Sequence, residues 1–376
     1  MNDAQMNDAQ MTVFSPDPVA YPAPGTRRPR GRRGGRRRSR GTVLQGTRGG
    51  AAVALIALLF SVAGCDSDRG SSTAGPEEAK PARTPIVVQL NWYPEAEHGG
   101  LYAAAAAGLY EAAGMDVEIR PGGRAAPVAS ELVMERCQFA FANADDVVLY
   151  RQQGADVVAV LAAMQDSPRC LLVRRDAGVT DFDGLAGMTL QRQAGRPFLA
   201  FLRHRGVLEE VREVPYNGSV AQLVASPKVA IQAYSFAEPL LAAQQGVEVE
   251  RLMVSELGWN PYSSVLVTSG KLVREQPARV RAFVQATRQG WQQYLQAPAA
   301  ANELILAANQ HGMTAEALAF GAEEIPTLAL PESLPSERVG EMSLERWQTL
   351  VSQMAELGLV DPEKVAADAC FTTEFL

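Results

Sequence analysis

Histidine and lysine are scarce in this 376-residue chain: there are three His, and four Lys at positions 80, 228, 271 and 364. Three scattered His cannot be assembled into a nucleophile triad, and the chain has no G-x-x-x-x-G-K-[ST], H-E-x-x-H or G-x-S-x-G motif. Cysteine occurs four times with no CxxC or Cys/His spacing, which excludes a zinc site of recognisable type and a disulfide scaffold. No apolar run reaches the roughly 18 residues of a membrane-spanning helix. What is present, 47% hydrophobic and 20% charged residues, is the composition of a globular protein of one or two domains, neither disordered nor collagenous. Residues 1–64 hold ten Arg and three Asp, so the remainder carries 25 basic against 39 acidic groups, a net charge of −14. That acidic body argues against a nucleic-acid binder, whose affinity comes from neutralising phosphates.

The N-terminus reads as an export signal. After a duplicated pentapeptide that makes Met6 and Met11 equally plausible starts, an Arg run from Arg27 to Arg40 precedes 13 apolar residues, Ala51 to Ala63. The Arg run alone would suit a nucleic-acid tail, but the apolar segment beside it matches the core of a signal peptide covering residues 1–64. Arg36 to Arg38 precede Ser39 at poor spacing for a twin-arginine route. Val62-Ala63-Gly64-Cys65 resembles the lipobox of bacterial lipoproteins, which implies cleavage before Cys65, its acylation, and a membrane anchor in the periplasm or on the cell surface. Residues 65–84, rich in Ser, Gly, Pro and charge, then read as a flexible tether. The remaining Cys137, Cys170 and Cys370 are an odd number; small buried thiols are the expectation, with a Cys137 to Cys170 disulfide as the alternative.

The body alternates strand and helix. Ile86 to Leu90 is a short β-branched run, the Ala-rich segment Leu101 to Gly114 is a helix with a glycine stop, and Met115, Val117 and Ile119 alternate as a strand does. This β-α-β unit implies parallel strands joined by a right-handed crossover. Strands follow at Phe139–Ala142, Asp156–Ala162 and Cys170–Arg174, and a second set begins at Met188. These give an α/β protein of two lobes. The first, discontinuous lobe takes residues 85–177 and 263–376, and the second, inserted lobe takes 178–262. The chain crosses near Arg175 to Gly184 and near Ser255 to Tyr262.

The segment Leu90-Asn91-Trp92-Tyr93-Pro94 through His98-Gly99-Gly100, followed by Gly108-Leu109-Tyr110 and Gly114-Met115-Asp116-Val117, resembles the opening of the ABC-importer binding-protein family for thiamine-pyrimidine precursors, nitrate, sulfonates and taurine. Asp183-Gly184-Leu185-Ala186-Gly187, Tyr262 to Val267, Gln276-Pro277 and Arg281-Ala282-Phe283 continue the resemblance in order over residues 86–296. It implies a type II periplasmic-binding-protein fold, no cofactor, a small-molecule ligand, permease and ATPase subunits as partners, and a monomer. The Asn-Trp-x-Pro opening points to the thiamine-precursor branch. Relatives that synthesise the pyrimidine use an iron-binding Cys cluster and a pyridoxal-phosphate Lys, neither of which has a counterpart here, so an enzyme is disfavoured. The chain also departs from the family at Pro227 to Ile231, where an Asp is usual.

Ligands of open α/β sheets bind beyond the carboxyl ends of strands. The candidates are therefore Asn91, Trp92, Tyr93 and His98 after the first strand, Asn143 after the third, Tyr234 and Glu238 near a later strand end, and Tyr262 at the second crossing. Aromatic faces with amides and a carboxylate suit a flat heteroaromatic carrying amino groups. Arg196 with Ser263 and Ser264 would instead suit a sulfonate or nitrate. Trp92 as core edge, His98 as a helix N-terminal hydrogen bonder and Glu238 as a solvated first-turn residue are the purely structural alternatives.

Overall fold

The computed structural model describes residues 82–331 and 334–376; the signal segment, Cys65 and most of the tether lie outside the described residues. Among the described residues there are ten strands: β1 Thr84–Gln89, β2 Met115–Arg120, β3 Phe139–Ala142, β4 Val157–Met164, β5 Arg169–Arg174, β6 Thr189–Arg192, β7 Arg212–Pro215, β8 Val229–Tyr234, β9 Val249–Met253 and β10 Ser263–Ser269. They form two five-stranded sheets, ordered β2-β1-β3-β10-β4 and β7-β6-β8-β5-β9. In each sheet the β-α-β strands run parallel, and a strand arriving from a crossing is antiparallel: β10 to β3 and β4, and β5 to β8 and β9. The architecture is the two-lobed α/β fold of periplasmic binding proteins.

The first crossing lies earlier than the sequence suggests. β5 hydrogen-bonds to β8 and β9, so it belongs to the second sheet, and the chain leaves the first lobe at Gln165–Pro168 rather than at Arg175–Gly184. Residues 169–177 are thus part of the second lobe. The return runs through residues 254–262. The two crossing segments are tied together: Asn260 Oδ1 accepts from the Ser167 amide at 2.7 Å, and Asn260 Nδ2 donates to Asp166 at 2.7 Å. Two short helices, Val128–Val133 and Ala221–Ala225, are additional to the sequence reading.

The first lobe owes its tight core to small residues. Helix Gly99–Ala106 lies directly on helix Pro277–Tyr294, where a Cβ at Gly100 would sit 2.2 Å from the Trp291 ring and one at Gly290 would sit 2.1 Å from the Gly100 carbonyl oxygen. Any larger residue would force the helices apart. This packing fixes the start of helix Gly99–Ala106, and with it the Asn91–His98 segment that follows β1. Apolar burial continues through Phe139, Phe283 and Tyr110, whose rings stack at 4.0 and 5.0 Å. Cys137, Cys170 and Cys370 are buried, and among the described residues none of them forms a disulfide. Among the described residues no helix is long and apolar enough to cross a membrane.

Candidate functional site

A cleft of about 250 Å³ opens between the lobes. β1 ends beneath it, and the segment after β1 supplies Asn91, Trp92, Glu95 and Glu97. Helix Ala144–Gln152 supplies Asp146 and Tyr150; the second lobe supplies Arg169, Gln193, Arg196, Tyr216, Gln232, Tyr234 and Glu238. Five of the residues expected from sequence therefore face one another here: Asn91, Trp92 and Asn143 from the first lobe, Tyr234 and Glu238 from the second.

Three expected residues lie off this wall. His98 is fully buried beneath it; its Nδ1 accepts from the Glu95 amide, so Nε2 carries the proton and donates to Asn91 Oδ1 at 2.9 Å. Burial pushes the His98 imidazole down to about 3, so it stays neutral and orients Asn91. Tyr93 stands behind Trp92, its ring 3.8 Å from His311 and 5.1 Å from Trp92. Tyr262 is a hinge residue: its hydroxyl accepts from the Ser343 amide at 2.9 Å and the Arg346 guanidinium lies 3.9 Å over its ring. It borders a cavity of about 10 Å³ beside Asp145 and Trp259, room for about one water.

Asn143 is the polar pivot between the lobes. Its side-chain oxygen accepts from Ser263 Oγ at 2.7 Å, and its amide nitrogen donates to the Tyr234 hydroxyl at 3.3 Å. The neighbouring Ser264 holds φ at +50°, uncommon for a residue with a side chain, and its hydroxyl donates to the Glu97 carbonyl. Across the cleft Arg196 Nη1 donates to Asp146 Oδ1 at 3.1 Å. Glu238 is held by its own lobe, accepting from the Tyr234 amide at 2.8 Å and the Tyr216 hydroxyl at 3.2 Å. Farther out, Arg251 donates to Glu324 at 2.7 Å and Gln244 to Glu316 at 2.8 Å, joining second-lobe strand and helix to helix Ala315–Ala329 of the first.

Charge in the cleft is mixed and crowded. Glu95, Glu97 and Glu238 converge on it from both lobes, with Arg124, Arg169 and Arg196 among them. Burial, reinforced by the charges of Glu97 and Glu238, holds the Glu95 carboxyl well above the usual range. Burial likewise raises Glu97 to about 7 against the opposing charge of Arg169 and a hydrogen bond from Asn91. Arg169 lies 4.2 Å over the Tyr234 ring, and among the described residues its guanidinium forms no hydrogen bond or ion pair. The sequence reading missed Glu95, Glu97 and Arg169. The first two sit in the strand-end loop already singled out, so their position was the available signal.

Known proteins resemble this chain along most of its length. A riboflavin-binding protein, RibY, from Chloroflexus aurantiacus is 26% identical over 300 residues, covering 77% of this chain and 80% of that one. A formylaminopyrimidine-binding protein from Halalkalibacterium halodurans is 24% identical over 331 residues, covering 84% and 96%. Among solved structures, the periplasmic aliphatic sulphonate binding protein SsuA from Escherichia coli superposes with a TM-score of 0.60 at 14% identity, over 76% of this chain and 91% of that one. The desulfurization enzyme DSZB has the same fold, with a TM-score of 0.55 at 16% identity over 78% and 97%, so fold alone does not separate binder from catalyst. Residues 95–301, more than half of the sequence, match the family described as NMT1/THI5 like, and the chain belongs to that family.

Proposed function

We propose that this protein is the exported solute-binding component of an ABC importer, anchored by lipid at Cys65, and that its lobes close on a small nitrogen heteroaromatic. The observation that carries this reading is the wall of the cleft, which combines the aromatic side chains of Trp92, Tyr216 and Tyr234 with Asn91, Gln193, Gln232 and three glutamates. Aromatic ligands stack on such rings, and glutamate oxygens accept from ring and amino N–H groups. At about 250 Å³ the cleft is slightly smaller than the roughly 300–1,000 Å³ of typical small-ligand sites. The relatives named for riboflavin and formylaminopyrimidine take ligands of this chemical kind. An anionic ligand such as a sulfonate is the second reading, and Arg169 favours it as a cleft guanidinium that, among the described residues, forms no ion pair with a carboxylate.

Thermal melting of the exported domain with riboflavin, 4-amino-2-methylpyrimidine, methanesulfonate and nitrate tests the proposal. A ligand at 100 times its Kd stabilises by about 2.7 kcal/mol, several degrees for a chain of this size. Stabilisation by a heteroaromatic without turnover supports the reading. Stabilisation by methanesulfonate or nitrate alone replaces it with the anion reading, and chemical conversion of the ligand replaces it with an enzyme.

A further inference from the structure

Among the described residues, Glu97 Oε2 is a buried oxygen with no hydrogen-bond partner, and its side chain lines the inter-lobe cleft while only 1% exposed. Its other oxygen is 3.4 Å from His98 Nε2. A carboxylate oxygen left unsatisfied in a buried position keeps the cost of its lost hydration. Packing makes the cost unavoidable: the Glu97 carbonyl is held by Ser264, and helix Gly99–Ala106 begins two residues later against Trp291 and Tyr294, so the backbone cannot swing the side chain into solvent. Most buried oxygens in a folded protein have partners, and an unpartnered one on a residue that lines a ligand cleft is an acceptor for a donor that enters it.

We propose that Glu97 is a specificity-determining residue: Oε2 accepts an N–H from the edge of the bound heteroaromatic, so that the cleft selects rings bearing a donor at that edge. This rests on the heteroaromatic reading above. The titratable groups around the carboxyl come from every side of the cleft: Glu95 and the neutral His98 on its own segment, Asp146 on helix Ala144–Gln152, Arg169 on β5 and Arg196 beyond β6. With Glu97 held at about 7, the group offers an acceptor alone when ionised and an acceptor beside an O–H when protonated. The second form complements the acceptor–donor edge of an aminopyrimidine or of a cyclic imide. A sulfonate presents only acceptors and leaves the ionised form unsatisfied.

The test is a binding cycle by titration calorimetry on the exported domain, its Glu97→Met and Glu97→Gln variants, and two probe pairs. The pairs are 4-amino-2-methylpyrimidine with its 4-dimethylamino counterpart, and riboflavin with N3-methylriboflavin; each pair differs by loss of N–H donors. In the parent, methylation is expected to weaken binding at least about tenfold in the pair that fits, the scale of a hydrogen bond to a charged group. In Glu97→Met the unmethylated probe should weaken by a similar factor while the methylation penalty shrinks to under about threefold. Glu97→Gln, which keeps an acceptor, should bind the unmethylated probe better than Glu97→Met. An equal methylation penalty in parent and Glu97→Met would show it to be steric and overturn the assignment. If both members of a pair bind the parent equally well, Glu97 falls and the heteroaromatic reading stands; if no heteroaromatic probe binds, both fall. Unliganded melting curves confirm that each variant is folded.

Discussion

Replacing Glu97 with Gln should make the unliganded protein more stable, and increasingly so as pH rises. The folded state holds the Glu97 proton up to about 7, whereas the unfolded chain releases it near the ordinary value of 4.5. Between those two values the native state binds one proton more than the unfolded state, so stability from this group falls as pH rises. The contribution is complete below about 4.5 and lost once pH passes through 7. Two and a half pH units at about 1.36 kcal/mol each give a loss of roughly 3 kcal/mol. The amide of the Glu97→Gln variant does not titrate, so the variant escapes this loss; Glu238 titrates in both proteins, and Glu95, relieved of the Glu97 charge, is raised less in the variant, which acts in the same direction. The difference in Tm between variant and parent is therefore expected to widen by about 5 °C from pH 5 to pH 8 and then level off. Differential scanning calorimetry in low-salt buffers across that range measures it. A flat difference would show that Glu97 is satisfied in a way the cleft geometry does not contain. A difference of opposite sign would show that it is ionised and paired, with Arg169 as the partner.

Trp92→Ala should weaken binding of the heteroaromatic that fits by at least about tenfold through loss of a stacking face, with the unliganded Tm nearly unchanged because the ring lines the cleft; equal affinity in calorimetry would sink the stacking role. Gly100→Ala should destabilise by about 1–3 kcal/mol, since its Cβ would lie 2.2 Å from the Trp291 ring, and urea unfolding within error of the parent would refute that packing argument. Cys65→Ser should leave the precursor uncleaved or the protein released from membranes, read by fractionation and mass spectrometry of the N-terminus; an unacylated N-terminus in the parent would disprove the anchor. Saturating ligand should reduce the radius of gyration in solution scattering by bringing the lobes together, and superimposable curves with and without it would count against closure.

Much of the fold is legible because its elements are locally written. The runs at Phe139–Ala142 and Cys170–Arg174, the alternation from Met115 to Ile119 and the glycine stop at Gly114 each specify an element from short-range preference alone. The first crossing is not legible, for a physical reason. β4 and β5 are two apolar runs separated by Gln165-Asp166-Ser167-Pro168, a polar, proline-ended link that reads equally as a turn within one sheet or a passage between two. The choice is made by β10, which pairs with β4 across Leu161↔Leu266, and by β8 and β9, which capture β5 from both sides. Those partners lie far along the chain, and no window around the link contains them.

The same distance separates the site residues that can be read from those that cannot. Asn91, Trp92, Asn143 and Glu238 follow strand ends and Tyr234 closes one, and the rule that α/β sheets bind beyond those ends finds them. Tyr262 has the same aromatic character, yet its hydroxyl is taken by the cap of helix Leu344–Glu356, far along the chain, which makes it a fastening of the hinge. Arg169 is invisible in the sequence because its value depends on where the first crossing falls: only as the first residue of β5 in the second sheet does it come to lie over Tyr234 at the mouth of the hinge. Glu97 is the sharpest case. A glutamate in a polar loop ordinarily projects into water, and only the close packing of Gly99 and Gly100 against Tyr294 and Trp291 turns this segment inward. A pair of glycines thus converts an ordinary loop carboxylate into a buried one, and a buried oxygen with no partner among the described residues acquires meaning only from what enters the cleft.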